Sequence, residues 1–214
     1  MSLWWTARLH TSHLPNNKML DANHFSLLPC TKEDISAISA RGYFCFPPFD
    51  PTKDDDPVSL DSFFCKVVPN EDEEHFSKTY KLIENEFPKD VLALASIANS
   101  GFSFGAYEDE PANLRNSGYN EDFPSIMLLA FGVRLDCQGQ GIGTVAFKKL
   151  LQLIRESSIA GVRLLTLHPL EKAVPFYRSL GCVEIYEDEF KDVVESMFLD
   201  LWQKKICPER KVAG

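Results

Sequence analysis

The sequence of 214 residues predicts a single α/β domain, and three observations carry that prediction. A long apolar run, SIMLLAFGVRL (125–135), is followed by the glycine-rich QGQGIG (138–143) and then by amphipathic TVAFKKLLQLIRESS, giving the order strand, loop, helix. A second apolar segment, VRLLTLH (162–168), is trailed by the short helical EKAVPFYRSLG. Near the N-terminus, HFSLLPC (24–30) precedes TKEDISAISA, again strand then helix.

Taken in order, HFSLLPC alternates well enough for a short strand. The helix after it starts at a capping Thr31, with acids in its first turn and Ile35 and Ile38 at helical spacing. Residues 42–58, GYFCFPPFDPTKDDDPV, suit a surface loop with aromatic anchors, because prolines and an acidic run oppose any long regular element. Two helical stretches are predicted next, SLDSFFCKVV (59–68) and EDEEHFSKTYKLIENEF (71–87). The second rests on Phe76, Tyr80 and Ile83, which recur at spacings of four and three. Residues 90–107 read as strands, being broken by glycine and ending in alternating aromatics, and residues 108–124 as a polar loop rich in turn formers. The 125–135 run is too short to cross a membrane and becomes a central buried strand. After the glycines, Val145, Ala146, Leu150, Leu153 and Ile154 share one helical face. VRLLTLH is a further buried strand, EKAVPFYRSLG a short helix ended by Gly181, and CVEIY and ESMFLDLW two closing strands. Residues 1–20 are read as a flexible N-terminal segment of the same domain.

Composition narrows the classes of function. A hydrophobic share of 44% and a charged share of 25% are those of an ordinary soluble protein with a packed core. The formal net charge of −9 argues against an extended basic surface, so a nucleic-acid partner is not expected. An acidic face suits a cationic acceptor instead, such as a polyamine, an aminoglycoside-like molecule or a protein amine. The six cysteines form no CxxC pair, which points to reduced, mostly buried thiols and to no metal site. MSLWWTARLH is too short in apolar residues for a secretory signal, and nothing approaches a membrane span; a cytoplasmic protein without a membrane partner is expected.

Strand, glycine loop and amphipathic helix together form the arrangement in which N–H groups at a helix N-terminus face a phosphate. Glycines clear side chains from that approach and tolerate positive φ. Gly139, Gly141 and Gly143 are more than a sharp turn alone needs. Two phosphate loops are well known in this position; the first is a weak match, kept as a distant third reading, and the second is excluded. Residues 141–146 satisfy the G-x-G-x-x-A dinucleotide form, but the next strand ends in His168 and Pro169 rather than in an acid, and too little chain follows for a doubly wound sheet. A nucleotide-hydrolysing P-loop is excluded, since no Gly-Lys-Ser or Gly-Lys-Thr follows the glycines.

FGVRLDCQGQGIGTVAFKKLL, followed about 30 residues on by EKAVPFYRSLGC, resembles the GNAT superfamily of acetyl-CoA-dependent N-acetyltransferases. The resemblance covers most of residues 125–185, and the strand–helix opening loosely. It implies a mixed, mostly antiparallel sheet flanked by helices and splayed at the central strand. It also implies that Gln138, Gly139, Gln140, Gly141, Ile142 and Gly143, with Thr144 next, bind the coenzyme A pyrophosphate, while Phe131, Gly132 and Val133 offer backbone groups to the pantetheine and acetyl carbonyl. Tyr177 stands where many members carry the acid that protonates the departing thiolate. His168, at the end of the preceding strand, is the candidate general base, with Glu108, Asp109, Glu110 and Glu121 as further candidates acting through water. The sequence departs from the family pattern at Leu135, Cys137, Leu170 and Cys182; Leu170 replaces an asparagine that contacts the cofactor arm. The implied activity is N-acetylation of a primary amine, with acetyl-CoA as cosubstrate and no metal. The alternatives are a non-catalytic acyl-CoA sensor and an enzyme like the toxins that acetylate aminoacyl-tRNA, which the long insertion after the first helix and the ending ESMFLDL resemble. Family members often dimerise through their C-terminal strands, so a homodimer is compatible with the resemblance.

Overall fold

The computed structural model describes residues 20–41, 63–104, 122–157, 161–186 and 194–202. The predicted loops at 42–58 and 108–124, apart from the end of the latter, lie outside the described residues, as does nearly all of the 1–20 segment. Strand β1 (Phe25–Pro29) leads into helix α1 (Lys32–Arg41). A π-helical turn (Phe63–Val67) runs into α2 (Val68–Glu73), followed by β2 (Lys78–Glu84), β3 (Phe87–Phe102) and β4 (Phe123–Val133). Helix α3 (Ile142–Ser157), β5 (Leu164–Leu167), α4 (Val174–Ser179), β6 (Val183–Tyr186) and β7 (Val194–Asp200) complete the described elements. The strands form one sheet in the order β1-β2-β3-β4-β5-β7-β6, antiparallel except between β4 and β5.

Local chemistry explains most of these elements. Helix α1 starts on a reciprocal cap: the Asp34 N–H donates to Thr31 Oγ1 (3.3 Å) and the Thr31 N–H donates to Asp34 Oδ2 (2.9 Å), satisfying two groups that the helix itself leaves unbonded. Ile35 and Ile38 then pack inward, as their spacing predicts. Helix α3 buries Val145, Ala146, Phe147, Leu150, Leu151 and Ile154 against the sheet and leaves Lys148, Gln152 and Arg155 outside. Gly181, at φ 93°, stops the chain after α4 in a conformation that glycine adopts without strain.

The helix predicted over 71–87 is not there. Only its first residues are helical, in α2, and Lys78–Glu84 is a strand paired with both β1 and β3. The reason is that both faces of the sheet are covered. Leu82 packs with Phe25, Leu92 and Ala93 on the α3 side, and the adjacent Ile83 is equally buried, so the strand loses the alternation that marks a half-exposed sheet. Tyr80 and Ile83 then mimic a helical spacing. The helix expected at 59–68 is found in part, as the π-helical turn, and the strands expected at 90–107 are one long strand, β3.

Candidate active site

Strand β4 changes partners along its length. It pairs with β3 from Phe123 to Val133, but with β5 only over Ser125–Leu128. Beyond Leu128 the parallel ladder stops, and the last residues of β4, through Gly132 and Val133, have a strand on one side only among the described residues. At the same point the β3 register shifts: Ser96 faces Ala130 while Ile97 faces Leu128, leaving Leu129 as the extra residue of a β-bulge, 36% exposed. A bulge bends and twists its strand, so it helps to turn β4 away from β5 where the gap opens.

The gap leads to the glycine loop. A short turn, Leu135–Cys137, ends β4, and α3 begins at Ile142 with the first helical hydrogen bond running from the Val145 N–H to the Gly141 carbonyl (3.1 Å). The N–H groups of Ile142, Gly143 and Thr144 therefore have no carbonyl partner within the helix and point out of its positive end. Gly139 (φ 72°) and Gly141 (φ 86°) adopt a conformation that strains other residues, and a side chain on Gly139 would meet only open space. Gly143 serves differently: a Cβ there would lie 3.3 Å from both Phe176 Cε2 and Val133 Cγ2, so its hydrogen lets α3 approach β4 and α4 closely. The Ile142 side chain is fully buried, leaving only its backbone to the loop.

Both glutamines of the loop brace its backbone. Gln138 Nε2 donates to the Val133 carbonyl (3.0 Å), and Gln140 Nε2 donates to the Asp136 carbonyl (2.6 Å). Arg134 and Asp136, which sequence reasoning passed over, form an ion pair at 2.6 Å directly before the loop. The one signal that marks them is a charged residue at the end of the longest apolar run. Cys137 is buried beside Ile142, and burial pushes its thiol up to about 11, so it packs where the family pattern has an aromatic residue.

Tyr177 is brought to the same region from α4. Its ring packs against Phe147 and Phe176, at centroid distances of 5.9 and 5.1 Å, and Phe176 stacks on Phe131 of β4 at 5.9 Å. The residue is 7% exposed, yet its hydroxyl makes no hydrogen bond among the described residues and is not among the sealed polar atoms. Burial raises its pKa, with a smaller contribution from Cys182, so the phenol keeps its proton across the physiological range. Cys182 itself is a core residue whose thiol burial pushes up to about 12.

His168 is exposed just past the end of β5, and its Nδ1 lies 3.0 Å from the Glu195 carbonyl oxygen. A carbonyl only accepts, so Nδ1 carries a hydrogen, and in the neutral ring the lone pair is the one on Nε2. Leu165 and Leu167 pack with the α3 and α4 cluster, while His168, beyond the last residue of β5, leans toward β7, the neighbour of β5 on the side away from β4. The structure thus brings Tyr177, and not His168, into the aromatic cluster beside the end of β4. Leu170 opens the turn before α4 with no side-chain cap and is 42% exposed. Glu108, Asp109, Glu110 and Glu121 lie outside the described residues. Among the described residues no group of His, Cys, Asp and Glu could hold a metal ion, and no helix is long and apolar enough to cross a membrane.

Solved structures of similar fold include AtaT complexed with acetyl-methionyl-tRNAfMet (20% identity, TM-score 0.59, covering 82% of this chain and 94% of that one). A tyrosine-to-phenylalanine variant of KacT (18% identity, TM-score 0.61) covers 83% and 95% in the same terms. AtaTR bound with acetyl-CoA (19% identity, TM-score 0.56) covers 84% and 95%. The search of curated proteins finds no match. The expectation against a nucleic-acid partner gains no support, since AtaT is seen with an RNA and KacTA in a complex with DNA. The model of the acetyltransferase (GNAT) family matches residues 69–182, over half of the chain. That span takes in β4, the glycine loop, α3 and the segment carrying Tyr177, so the chain belongs to the GNAT family and is an acetyltransferase of the kind that uses acetyl-CoA.

Proposed function

We propose that this one-domain protein transfers the acetyl group of acetyl-CoA to the primary amine of an acceptor. The observation that carries the proposal is the parting of β4 from β5 directly ahead of the glycine loop, with Tyr177 in the aromatic cluster that includes Phe131 of β4 and its hydroxyl unbonded among the described residues. The residues present fit the cosubstrate. Gln138–Thr144 offer backbone N–H groups, and Gly139 open space, to a pyrophosphate, and Phe131, Gly132 and Val133 line the one-sided stretch of β4 along which a pantetheine arm would lie. Acetyl-CoA supplies an activated acetyl thioester.

In the transfer the acceptor nitrogen forms a bond to the acetyl carbon while the carbon–sulfur bond breaks. Tyr177 gives its phenolic proton to the departing sulfur, and its raised pKa keeps that proton in place beforehand. His168 Nε2 takes the proton that the amine loses, with Nδ1–H held by the Glu195 carbonyl to fix the tautomer. The aromatic packing of Phe131, Phe147, Phe176 and Tyr177 fills the α3 and α4 side, so the acceptor approaches from the opposite face.

A second reading names the acceptor as the amine of an aminoacyl-tRNA. It is favoured by the likeness in fold to AtaT, which is seen with acetyl-methionyl-tRNAfMet. The net charge of −9 weighs against it, and a small cationic amine or a protein amine remains our first choice. Release of the coenzyme A thiol, followed over a panel of polyamines, aminoglycosides, peptides and aminoacyl-tRNA, separates the readings. Turnover with one class assigns the acceptor. Acetyl-CoA binding with no turnover on any of them overturns the transferase reading in favour of an acyl-CoA sensor.

A further inference from the structure

The Arg134–Asp136 pair precedes the glycine loop, and the transfer chemistry leaves it without a role. Arg134 ends the longest apolar run of the chain, and its side chain is only 8% exposed. Burying a guanidinium costs free energy unless the charge is paired. Its Nε donates to Asp136 Oδ1 at 2.6 Å, and its Nη1 reaches the Val91 carbonyl of β3 at 3.4 Å. Strand β3 borders β4 on the side away from β5, so the guanidinium holds the carboxylate on the side opposite the gap.

Asp136 is an awkward residue to find there. It stands two residues before Gln138, on the turn from which the loop hangs, and its backbone carbonyl receives the Gln140 amide. Its side chain is a fixed anion next to a loop built to receive phosphates. Burial works to raise its pKa, but the hydrogen bond and charge of Arg134 outweigh that and hold it below the usual carboxylate range, so it stays ionised.

We propose that Arg134 is a positioning residue for the acyl-CoA: by pairing with Asp136 on the β3 side, it removes that carboxylate's charge from the pyrophosphate site. The backbone N–H groups of the loop then meet the phosphates without an opposing charge, while the Asp136 backbone stays available to brace Gln140. The inference rests on the reading of Gln138–Thr144 as the pyrophosphate site.

Calorimetric titration of the full chain with acetyl-CoA, and in parallel with S-acetylpantetheine, which has no pyrophosphate, tests it without an acceptor. Arg134→Met is expected to raise the dissociation constant for acetyl-CoA about tenfold, the change one uncancelled charge makes at roughly 8 Å in partly screened surroundings. Its affinity for S-acetylpantetheine should not move. Asp136→Asn should bind acetyl-CoA at least as tightly as the unaltered protein, and the double variant should return to within about threefold of it. An unchanged affinity in Arg134→Met overturns the proposal, as does an equal loss with both ligands. A loss of acetyl-CoA affinity in Asp136→Asn overturns it too, and that variant decides the matter alone if Arg134→Met does not fold. Failure of the unaltered protein to bind acetyl-CoA would instead remove the pyrophosphate site itself, and the inference with it.

Discussion

Tyr177 and the loop glycines make separable demands on the protein, which substitution can tell apart. Tyr177→Phe keeps the ring that packs on Phe147 and Phe176 and removes only the hydroxyl. We expect kcat to fall by about a hundredfold, the lower end of what a positioned acid contributes, with the dissociation constant for acetyl-CoA nearly unchanged. Equal loss of both, or of neither, would deny Tyr177 its role as acid. Because burial raises its pKa, Tyr177 does not generate an alkaline limb in the rate below the ordinary tyrosine range; any limb nearer neutrality belongs to another group. Gly139→Ala asks a different question, since its Cβ meets nothing but the residue sits at φ 72°. The left-handed conformation costs a residue with a Cβ about 1–2 kcal/mol, which for a domain of this size lowers the unfolding midpoint by roughly 2–8 °C. Calorimetry without ligand reads that cost, and titration with acetyl-CoA reads the added obstruction to a phosphate.

Among the elements, α1 is held by chemistry that a pH titration exposes. Asp34 closes the helix cap with Thr31 and also pairs with Lys81 of β2 at 2.6 Å, tying α1 to the sheet. Burial works to raise the Asp34 pKa, but the Lys81 hydrogen bond, the Thr31 backbone and the Lys81 charge outweigh it, and the net shift is downward. A depressed carboxyl stabilises the fold fully above its ordinary range, and that contribution is lost as the pH falls through the lower, folded value. Asp34→Asn is therefore expected to cost about 1–2 kcal/mol at neutral pH and to flatten the acid limb of the stability curve. A variant whose stability falls with acid as steeply as before would exclude this pair as a source of that limb. The elements also show what the sequence could convey. Helix α3 and the loop were legible because glycines and a single apolar stripe are local signals. Strand β2 was not, because its inward residues on two faces erase the period of two, and only the burial of Leu82 against α3 together with that of its neighbour Ile83 on the opposite face explains them. The proposed site divides in the same way. Gln138–Thr144 and Tyr177 are proposed from local motifs, whereas the contact of His168 with the Glu195 carbonyl depends on strand partners far apart in the chain.

For the whole molecule, acetyl-CoA should act as a stabilising ligand. At a hundred times its dissociation constant it adds about 2.7 kcal/mol to the native state, a clear rise in the unfolding midpoint that NAD(P)H should not reproduce. A rise with NAD(P)H alone would reopen the dinucleotide reading of the glycine loop. The sheet itself suggests where that added stability is felt. β4 meets β3 over most of its length but meets β5 over Ser125–Leu128 alone, so the seven strands amount to two antiparallel leaves, β1–β4 and β5-β7-β6, stitched by a brief parallel ladder and overlaid by α3. A chain severed between residues 157 and 161 leaves each leaf with its own internal pairing. The two pieces should therefore recombine from solution, and a ligand lodged between the leaves would act as their clasp, making fragment reassembly a gauge of acyl-CoA concentration.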